Sequence, residues 1–273
     1  MIKIAIDAGH GLYTSGKRCM KKLDSKETRE WWLNDRIADR LEALLDDYNC
    51  EVLRTDDTTG LTDVSLANRC KKANNWGADI FVSIHHNAGA NGKTAGGTVN
   101  FYYSSNSARK TQAQSMYNSV VGRTKLVGNR SSKVIKKGFY VLRHTKMKAF
   151  LLENGFMDSS VDVPIILTAE HAEKTAQGLL EFLVRELKLE KISNNASSTV
   201  ATPVSTSFKV KVKVKELNIR SGAGTDYART GCIKDYGIYT IVSTARAKDG
   251  GTWGKLKSGI GWINISSKFV SRV

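Results

Sequence analysis

Cysteine pairs, long apolar runs and a secretory leader are all scarce or missing in this sequence. The four cysteines, at positions 19, 50, 70 and 232, form no C-x-x-C pair and fit no disulfide framework or zinc finger. No apolar run approaches the length of a membrane-spanning helix, and the apolar stretch of MIKIAIDAGHG is too short for a secretory signal. We therefore expect a protein that is made in the cytoplasm without a signal peptide, keeps free thiols there and inserts into no membrane.

Acidic residues are also in short supply. The chain has 42 Lys and Arg against 26 Asp and Glu, a formal net charge of +16. The excess is densest from residue 207 onward, where thirteen basic residues face four acidic ones. Such a balance favours a polyanionic partner, which could be nucleic acid, an anionic membrane or an acidic wall polymer. A merely solvated basic surface fits equally well, and no nucleic-acid-binding motif is present.

Residues 1–190 alternate strand-like and helix-like segments. The hydrophobic content of 41% is enough for a core. Helical patterns cover 28–47, Leu66–Trp76, Ser107–Val121 and a stretch from an N-cap at Thr168 to about Leu189. Predicted strands lie at Lys3–Asp7, Glu51–Arg54, Asp79–Ile84, Thr98–Tyr103 and Phe150–Leu152. This alternation predicts an α/β domain with a twisted, mostly parallel sheet and helices on both faces.

The composition changes after residue 190. Residues 191–207 are rich in Ser, Thr, Asn and Ala, hold one of only two prolines, and are predicted to form a flexible linker. Residues 208–273 carry short strand patterns separated by Gly- and Asp-rich turns, which predicts a small all-β barrel or sandwich. Within it, FKVKVKVKELNIR at 208–220 alternates apolar and basic residues like one half-buried strand.

Four residues stand out as candidates for chemistry. His10 and His85 each follow an apolar strand, in DAGHG and FVSIHHNA, and open α/β sheets place their sites at such strand ends. Glu30 heads a predicted helix, and Glu153 ends the strand of LLENGF. Two histidines and a carboxylate are a common catalytic zinc set, yet each residue alone has a structural explanation. His10 would simply be hydrogen-bonded, and Glu30 would be favoured by the helix N-terminus. Glu153 would be the buried ion-pair partner of a lysine or arginine such as Arg143.

The ordered set of motifs over about residues 2–187 resembles the zinc-dependent N-acetylmuramoyl-L-alanine amidases of the type 3 family. The resemblance implies that His10, Glu30 and His85 hold Zn²⁺. Glu30 is preferred to Glu27 because the family spacing E-x-x-x-N fits Glu30 and Asn34. His85 is preferred to His86 because the family ligand directly follows the S-I pair. The resemblance also implies that Glu153 is the general base and that the substrate is the amide between N-acetylmuramic acid and L-alanine in peptidoglycan.

The segment LNIRSGAGTDY and the basic strands around it resemble a bacterial SH3 domain over about 208–273. That resemblance implies cell-wall binding. The lysines at 209, 211, 213 and 215 are expected on one face of a strand, where they would meet anionic wall polymers or only guard a sheet edge. Tyr227, Tyr236, Trp253 and Trp262 would form either a stacking surface or part of the core.

Together these expectations describe a phage endolysin that reaches the cell wall once the membrane is breached. Two other interpretations stay open. One is a bacterial autolysin with the same chemistry, and the other is a non-catalytic wall-binding protein with a degenerate amidase fold. The intact set of His10, Glu30, His85 and Glu153 argues against the second.

Overall fold

The computed structural model describes residues 1–192, 208–247 and 250–273. The chain divides into two compact units, Met1–Ile192 and Ser193–Val273. Most of the predicted linker, residues 193–207, lies outside the described residues. Lys191 and Ile192, also assigned to the linker from sequence, contact the first unit: Lys191 forms a bridge with Tyr48, and the Ile192 amide donates to the Asp47 carbonyl at 2.9 Å.

The first unit alternates strands and helices, and every element predicted there from the sequence is present. Its elements, in chain order, are β1 (Ile2–Ala8), α1 (Glu30–Leu45), β2 (Cys50–Arg54), α2 (Leu66–Trp76), β3 (Ile80–Asn87), β4 (Thr98–Tyr102), α3 (Ser107–Thr124), β5 (Val134–Lys136), α4 (Tyr140–His144), β6 (Lys148–Phe156), α5 (Val163–Ile166) and α6 (Ala169–Leu187). The three elements that the sequence did not predict, β5, α4 and α5, are short. The predicted caps are also found: the Thr168 side chain accepts from the His171 amide, and Gly77 ends α2 in a left-handed conformation.

The strands of this unit form one mixed sheet in the order β2-β1-β3-β6-β4-β5. Four of the neighbouring pairs are parallel, and β4 runs antiparallel to β6. The expected parallel character therefore holds for most pairs, with one reversal near the β5 edge. Since β1, β3 and β6 are consecutive and parallel, their carboxyl ends emerge side by side.

Alternate residues of the central strands point to opposite faces of the sheet, and helices cover both. Ile4 and Ile6 of β1 belong to a core cluster with α1, α3 and α6, whereas Ala5 belongs to a second cluster with α2 and α4. Burial on both faces explains why these strands are apolar at nearly every position. Each fully buried Ile or Leu stabilises the fold by roughly 1.5–3 kcal/mol.

The second unit is an all-antiparallel sheet in the order β13-β7-β10-β11-β12-β8-β9. Its strands are β7 (Phe208–Val212), β8 (Leu217–Arg220), β9 (Arg229–Ile233), β10 (Ile238–Arg246), β11 (Thr252–Leu256), β12 (Trp262–Asn264) and β13 (Val270–Arg272). Val210, Val212, Ile219 and Ile241 lie in its core. Trp253 is also buried but does not belong to this core cluster, whereas Tyr227 and Tyr236 are exposed.

Two expectations for this unit are wrong. Residues 208–220 form two strands, β7 and β8, so only Lys209 and Lys211 share the exposed face of a strand; the other two lysines lie in the connection between β7 and β8. In addition, β7 lies between β13 and β10, so its lysines do not guard a sheet edge.

Among the described residues, no helix combines the length and the apolar character needed to cross a membrane. The cysteines at 19, 50, 70 and 232 are all free.

Candidate metal centre

The turn after β1 brings His10 beside His85. Ala8 is paired in register with Ile84 of β3, and the Gly9 amide donates to the Ile84 carbonyl at 2.9 Å. The rings of His10 and His85 lie edge to face with centroids 4.9 Å apart. A Cβ at Gly9 would lie 2.0 Å from His85 Cε1, so this close approach requires glycine at position 9.

Glu30 completes the cluster from the first turn of α1. Its amide donates to the Lys17 carbonyl at 3.0 Å, which fixes the start of the helix against the preceding loop. The buried Oε1 of Glu30 lies 3.3 Å from His10 Nε2 and 3.1 Å from His85 Nδ1. One ligand atom from each of the three residues lies within 4.8 Å of the others. Residues far apart in sequence thus converge at the carboxyl edge of the sheet.

The charges of this cluster are tightly linked. Burial favours the neutral form of Glu30, but its contacts with His10 and His85 outweigh burial and hold its pKa well below the ordinary value. Burial likewise opposes the charged form of His85, and the Glu30 carboxylate outweighs it, so the pKa of His85 is raised. Glu30 Oε2 is buried and has no hydrogen-bond partner, with Lys17 Nζ 3.7 Å away.

This donor set fits a divalent metal such as zinc. Two imidazoles and a carboxylate are typical catalytic zinc ligands, and a buried carboxylate oxygen without a hydrogen-bond partner is a polar group that a cation would satisfy. His10, Glu30 and His85 are therefore the residues that would hold the ion.

The neighbouring candidates His86 and Glu27 lie elsewhere. His86 is buried on the other side of β3, where its Nδ1 is 2.8 Å from Asn34 Oδ1. Glu27 forms an ion pair with Arg18 at 3.1 Å and is absent from the group of possible ligands. Adjacent strand residues face opposite ways, which separates His85 from His86.

Glu153 lies on β6, in register with His85 on β3. Its Oε2 is buried and has no hydrogen-bond partner. Burial raises the pKa of Glu153 to about 7, the nearby Glu30 adding to the effect and His85 opposing it. Arg143, the alternative partner considered from sequence, is exposed and donates to the Gly138 carbonyl instead.

Sequence reasoning missed the buried polar groups that surround this cluster. Arg69 of α2 reaches the turn after β1 and ion-pairs with Asp7 at 2.7 Å, and Asn34 of α1 donates to the Gly9 carbonyl at 3.1 Å. A cleft of about 340 Å³ lies beside His10 and His85, with Asp63–Leu66 along its other wall. The sequence signal that could have revealed these groups was Asp7, an acid in the strand β1, where every other residue except Lys3 is apolar.

Known proteins resemble this chain in sequence, and solved structures resemble the fold of its first unit. The N-acetylmuramoyl-L-alanine amidase CwlM of Bacillus licheniformis is 32% identical over 82% of this chain and 82% of its own length. An endolysin of Bacillus phage SPP1 is 28% identical over 97% of this chain and 96% of its own length. The solved catalytic domain of CwlV, an N-acetylmuramoyl-L-alanine amidase from Bacillus (Paenibacillus) polymyxa, superposes with a TM-score of 0.61 at 30% identity, covering 70% of this chain and all of that domain.

The family model for N-acetylmuramoyl-L-alanine amidase matches residues 4–185, which is nearly the whole first unit and includes all four candidate residues. By this match, and by its likeness to CwlM, the chain belongs to the type 3 family of N-acetylmuramoyl-L-alanine amidases.

Proposed function

We propose that this protein hydrolyses the amide between the lactyl group of N-acetylmuramic acid and L-alanine in peptidoglycan, using Zn²⁺ held by His10, Glu30 and His85. The observation that carries the proposal is the convergence of those three side chains beside Glu153 in a chain that belongs to this amidase family. The same convergence argues against a degenerate, non-catalytic fold, because no member of the set is lost.

The groups at this site have separate chemical roles. When bound, zinc supplies Lewis-acid chemistry, polarising a carbonyl oxygen and making water more acidic. Glu153 accepts the proton of the attacking water and returns it to the amine of the leaving L-alanine. A pKa of about 7 suits a carboxyl that must take up and release a proton near neutral pH. Water is the nucleophile, so the reaction needs no covalent intermediate.

The test is digestion of purified peptidoglycan by the metal-free protein with and without added zinc, followed by mass spectrometry of the products. We expect zinc-dependent release of peptides that begin with a free L-alanine amine, and glycans that retain an intact N-acetylmuramic acid. Cleavage of a glycosidic bond or of a bond within the stem peptide would contradict the proposed reaction.

For the second unit we propose a wall-binding role of the bacterial SH3 type. The similarity to the phage endolysin extends across both units, and Lys209 and Lys211 present positive charge on the exposed face of β7. This charge suits anionic wall polymers, so the second unit would hold the amidase at its substrate.

For the biological role we propose a phage endolysin made in the cytoplasm, with a bacterial autolysin of the same chemistry as the second candidate. The SPP1 relative supports the first and CwlM of Bacillus licheniformis supports the second. Expression in a Gram-positive host separates them. An endolysin leaves cells intact until the membrane is permeabilised, whereas an exported autolysin degrades walls without that step.

A further inference from the structure

Buried side chains bind three successive carbonyl groups of the turn that carries His10. Arg69 Nη1 donates to the Ala8 carbonyl at 2.8 Å, and Arg69 Nη2 donates to the His10 carbonyl at 2.9 Å. Asn34 Nδ2 donates to the Gly9 carbonyl between them at 3.1 Å. The carbonyls of this turn are therefore held by side chains from α1 and α2.

His10 needs such support because its backbone is in the left-handed region, with φ of 68°. This conformation is unfavourable for a residue with a side chain and persists only where the surroundings impose it. Arg69 contacts the backbone on both sides of Gly9, at the carbonyl of Ala8 and at the carbonyl of the strained His10 itself.

Arg69 is itself locked in place. It is 1% exposed, and its Nη1 ion-pairs with Asp7 Oδ1 at 2.7 Å. The Asp7 carboxylate also accepts hydrogen bonds from Thr55 Oγ1 at 2.8 Å and Ser83 Oγ at 2.7 Å. A buried ion pair with this many partners has one favourable geometry, because leaving any of the charged atoms unpaired is costly.

We propose that Arg69 is a positioning residue for the metal centre: its fork of N–H donors holds the strained His10 turn in the conformation that presents the imidazole to Glu30 and His85. The inference rests on the proposed zinc site. It requires the planar, multiply donating guanidinium, because an ammonium at the same place cannot span Asp7 and both carbonyls at once.

The test compares Arg69→Lys with Arg54→Lys in the full-length protein. Arg54 is a matched control: it is similarly buried and pairs with Asp35 at 2.7 Å and Asp56 at 2.7 Å. It reaches the turn only indirectly, since Asp56 Oδ1 accepts from the Ala8 amide. Zinc dissociation constants are measured by competition with a chelator, and the visible absorption of the cobalt-substituted proteins reports ligand geometry.

We expect Arg69→Lys to weaken zinc binding by about 10- to 100-fold, the scale for outer partners of metal ligands, and to shift the cobalt spectrum. Arg54→Lys should lower the melting temperature while leaving zinc affinity and the cobalt spectrum unchanged. Wild-type zinc affinity and an unaltered cobalt spectrum in folded Arg69→Lys would overturn the inference. Failure of the wild-type protein to bind zinc would instead overturn the proposed function.

If Arg69→Lys does not fold, Asn34→Ala provides the second measurement. It removes the partner of the Gly9 carbonyl, together with the partner of His86 Nδ1, and places the best helix former within α1. Weaker zinc binding by folded Asn34→Ala supports the dependence of the site on its carbonyl contacts. Unchanged binding by folded Asn34→Ala would show that the His10 turn keeps its conformation without a side chain on the Gly9 carbonyl. That result would contradict the premise that side-chain contacts to the carbonyls hold this turn, and it would overturn the inference.

Discussion

Glu153 and His85 are direct neighbours across the parallel strands β6 and β3. One residue is a candidate proton carrier and the other a candidate metal ligand. Two adjacent strand ends therefore fix the spacing between the proposed base and the proposed metal, and no flexible loop intervenes. Sites built on rigid strands hold their geometry better than sites built on loops.

Replacement of Glu153 by glutamine should abolish most hydrolysis without loss of fold or zinc. The amide keeps the shape of the side chain but cannot accept a proton from water, so turnover of a soluble muropeptide should fall about 10²-fold or more. Glu170→Gln is the control, since Glu170 is an exposed acid on α6 paired with Lys174. Near-normal turnover by Glu153→Gln would contradict the assignment of the base.

Zinc should bind with one ion per chain and depend on His85 rather than His86. His85→Ala removes a proposed ligand. His86→Ala removes the contact with Asn34 but leaves all three proposed ligands in place, so it should lower stability and still retain zinc. Elemental analysis after dialysis measures the zinc content of each variant. In a crystal structure with zinc, ligand distances near 2.0–2.2 Å are expected for His10, Glu30 and His85. Zinc retained by His85→Ala and lost by His86→Ala would show that the assignment is reversed.

Gly9→Ala should disrupt the metal centre. The new methyl group would overlap the His85 imidazole, so either the ring or the turn must move and zinc affinity must fall. Gly122→Ala is the matched control because a Cβ there meets nothing within 4 Å on helix α3. It should stabilise the protein by about 0.5–1 kcal/mol and leave zinc binding unchanged. Tight zinc binding by Gly9→Ala would contradict the packing of this turn.

The protein should lose stability as the pH is lowered from about 6.5 to 4, in part because of His171. Burial, with a smaller effect of the Arg36 charge, lowers the pKa of His171 from 6.5 to about 4. In that range His171 binds a proton in the unfolded chain but stays neutral in the folded chain. The free energy of unfolding therefore decreases as pH falls, by up to ~3 kcal/mol. Its ring also lies near that of His86, with centroids 6.3 Å apart.

The measurement is chemical unfolding of metal-free wild type and His171→Gln across this pH range. Glutamine can still donate to the Asn154 carbonyl, which His171 Nε2 contacts at 3.3 Å, but it does not titrate. The variant should therefore lose less stability on acidification. Parallel pH profiles for the two proteins would show that His171 does not contribute.

The two units should separate functionally. Residues 1–192 alone should bind zinc and cleave soluble muropeptides but act weakly on intact walls, since tethering raises the local concentration of an enzyme at its substrate. Residues 208–273 alone should bind walls without cutting them, and added salt should weaken that binding. Wall pull-down and turbidity loss measure both. If the second unit shows no wall affinity at low salt and its deletion leaves lysis unchanged, the targeting role is wrong.

Long periodic segments were predictable from sequence because burial imposes their pattern. The apolar runs of β1 and β3 and the helical spacing of α1 and α6 are strong signals in the amino-acid sequence itself. Short elements such as β5, three residues long, carry too little pattern to detect. The split of residues 208–220 was missed because the apolar-basic alternation continues to Lys215, beyond the end of β7 at Val212, and neither glycine nor proline marks the turn. The available signal was the polar pair Lys215–Glu216, which breaks the alternation before β8.

The candidate site was only partly predictable for a different reason. No spacing rule joins residues as far apart as His10, Glu30 and His85, so their grouping came from family resemblance. Arg69 was missed because an arginine in an amphipathic helix is usually exposed. Its burial depends on Asp7, whose position beneath α2 follows from the three-dimensional packing and from no local pattern.

The position of β6 in the middle of the sheet constrains when this protein can first become active. Synthesis runs from the N-terminus, yet β6 lies between β3 and β4, which both precede it in the chain. A nascent chain that ends before residue 148 has the turn of His10 and the edge of β3 but no strand to join β3 to β4. Such a chain also lacks Glu153. If Glu153 is the proposed base, we expect the growing polypeptide to remain inactive and to expose an unpaired edge of β3 until β6 has emerged and inserted.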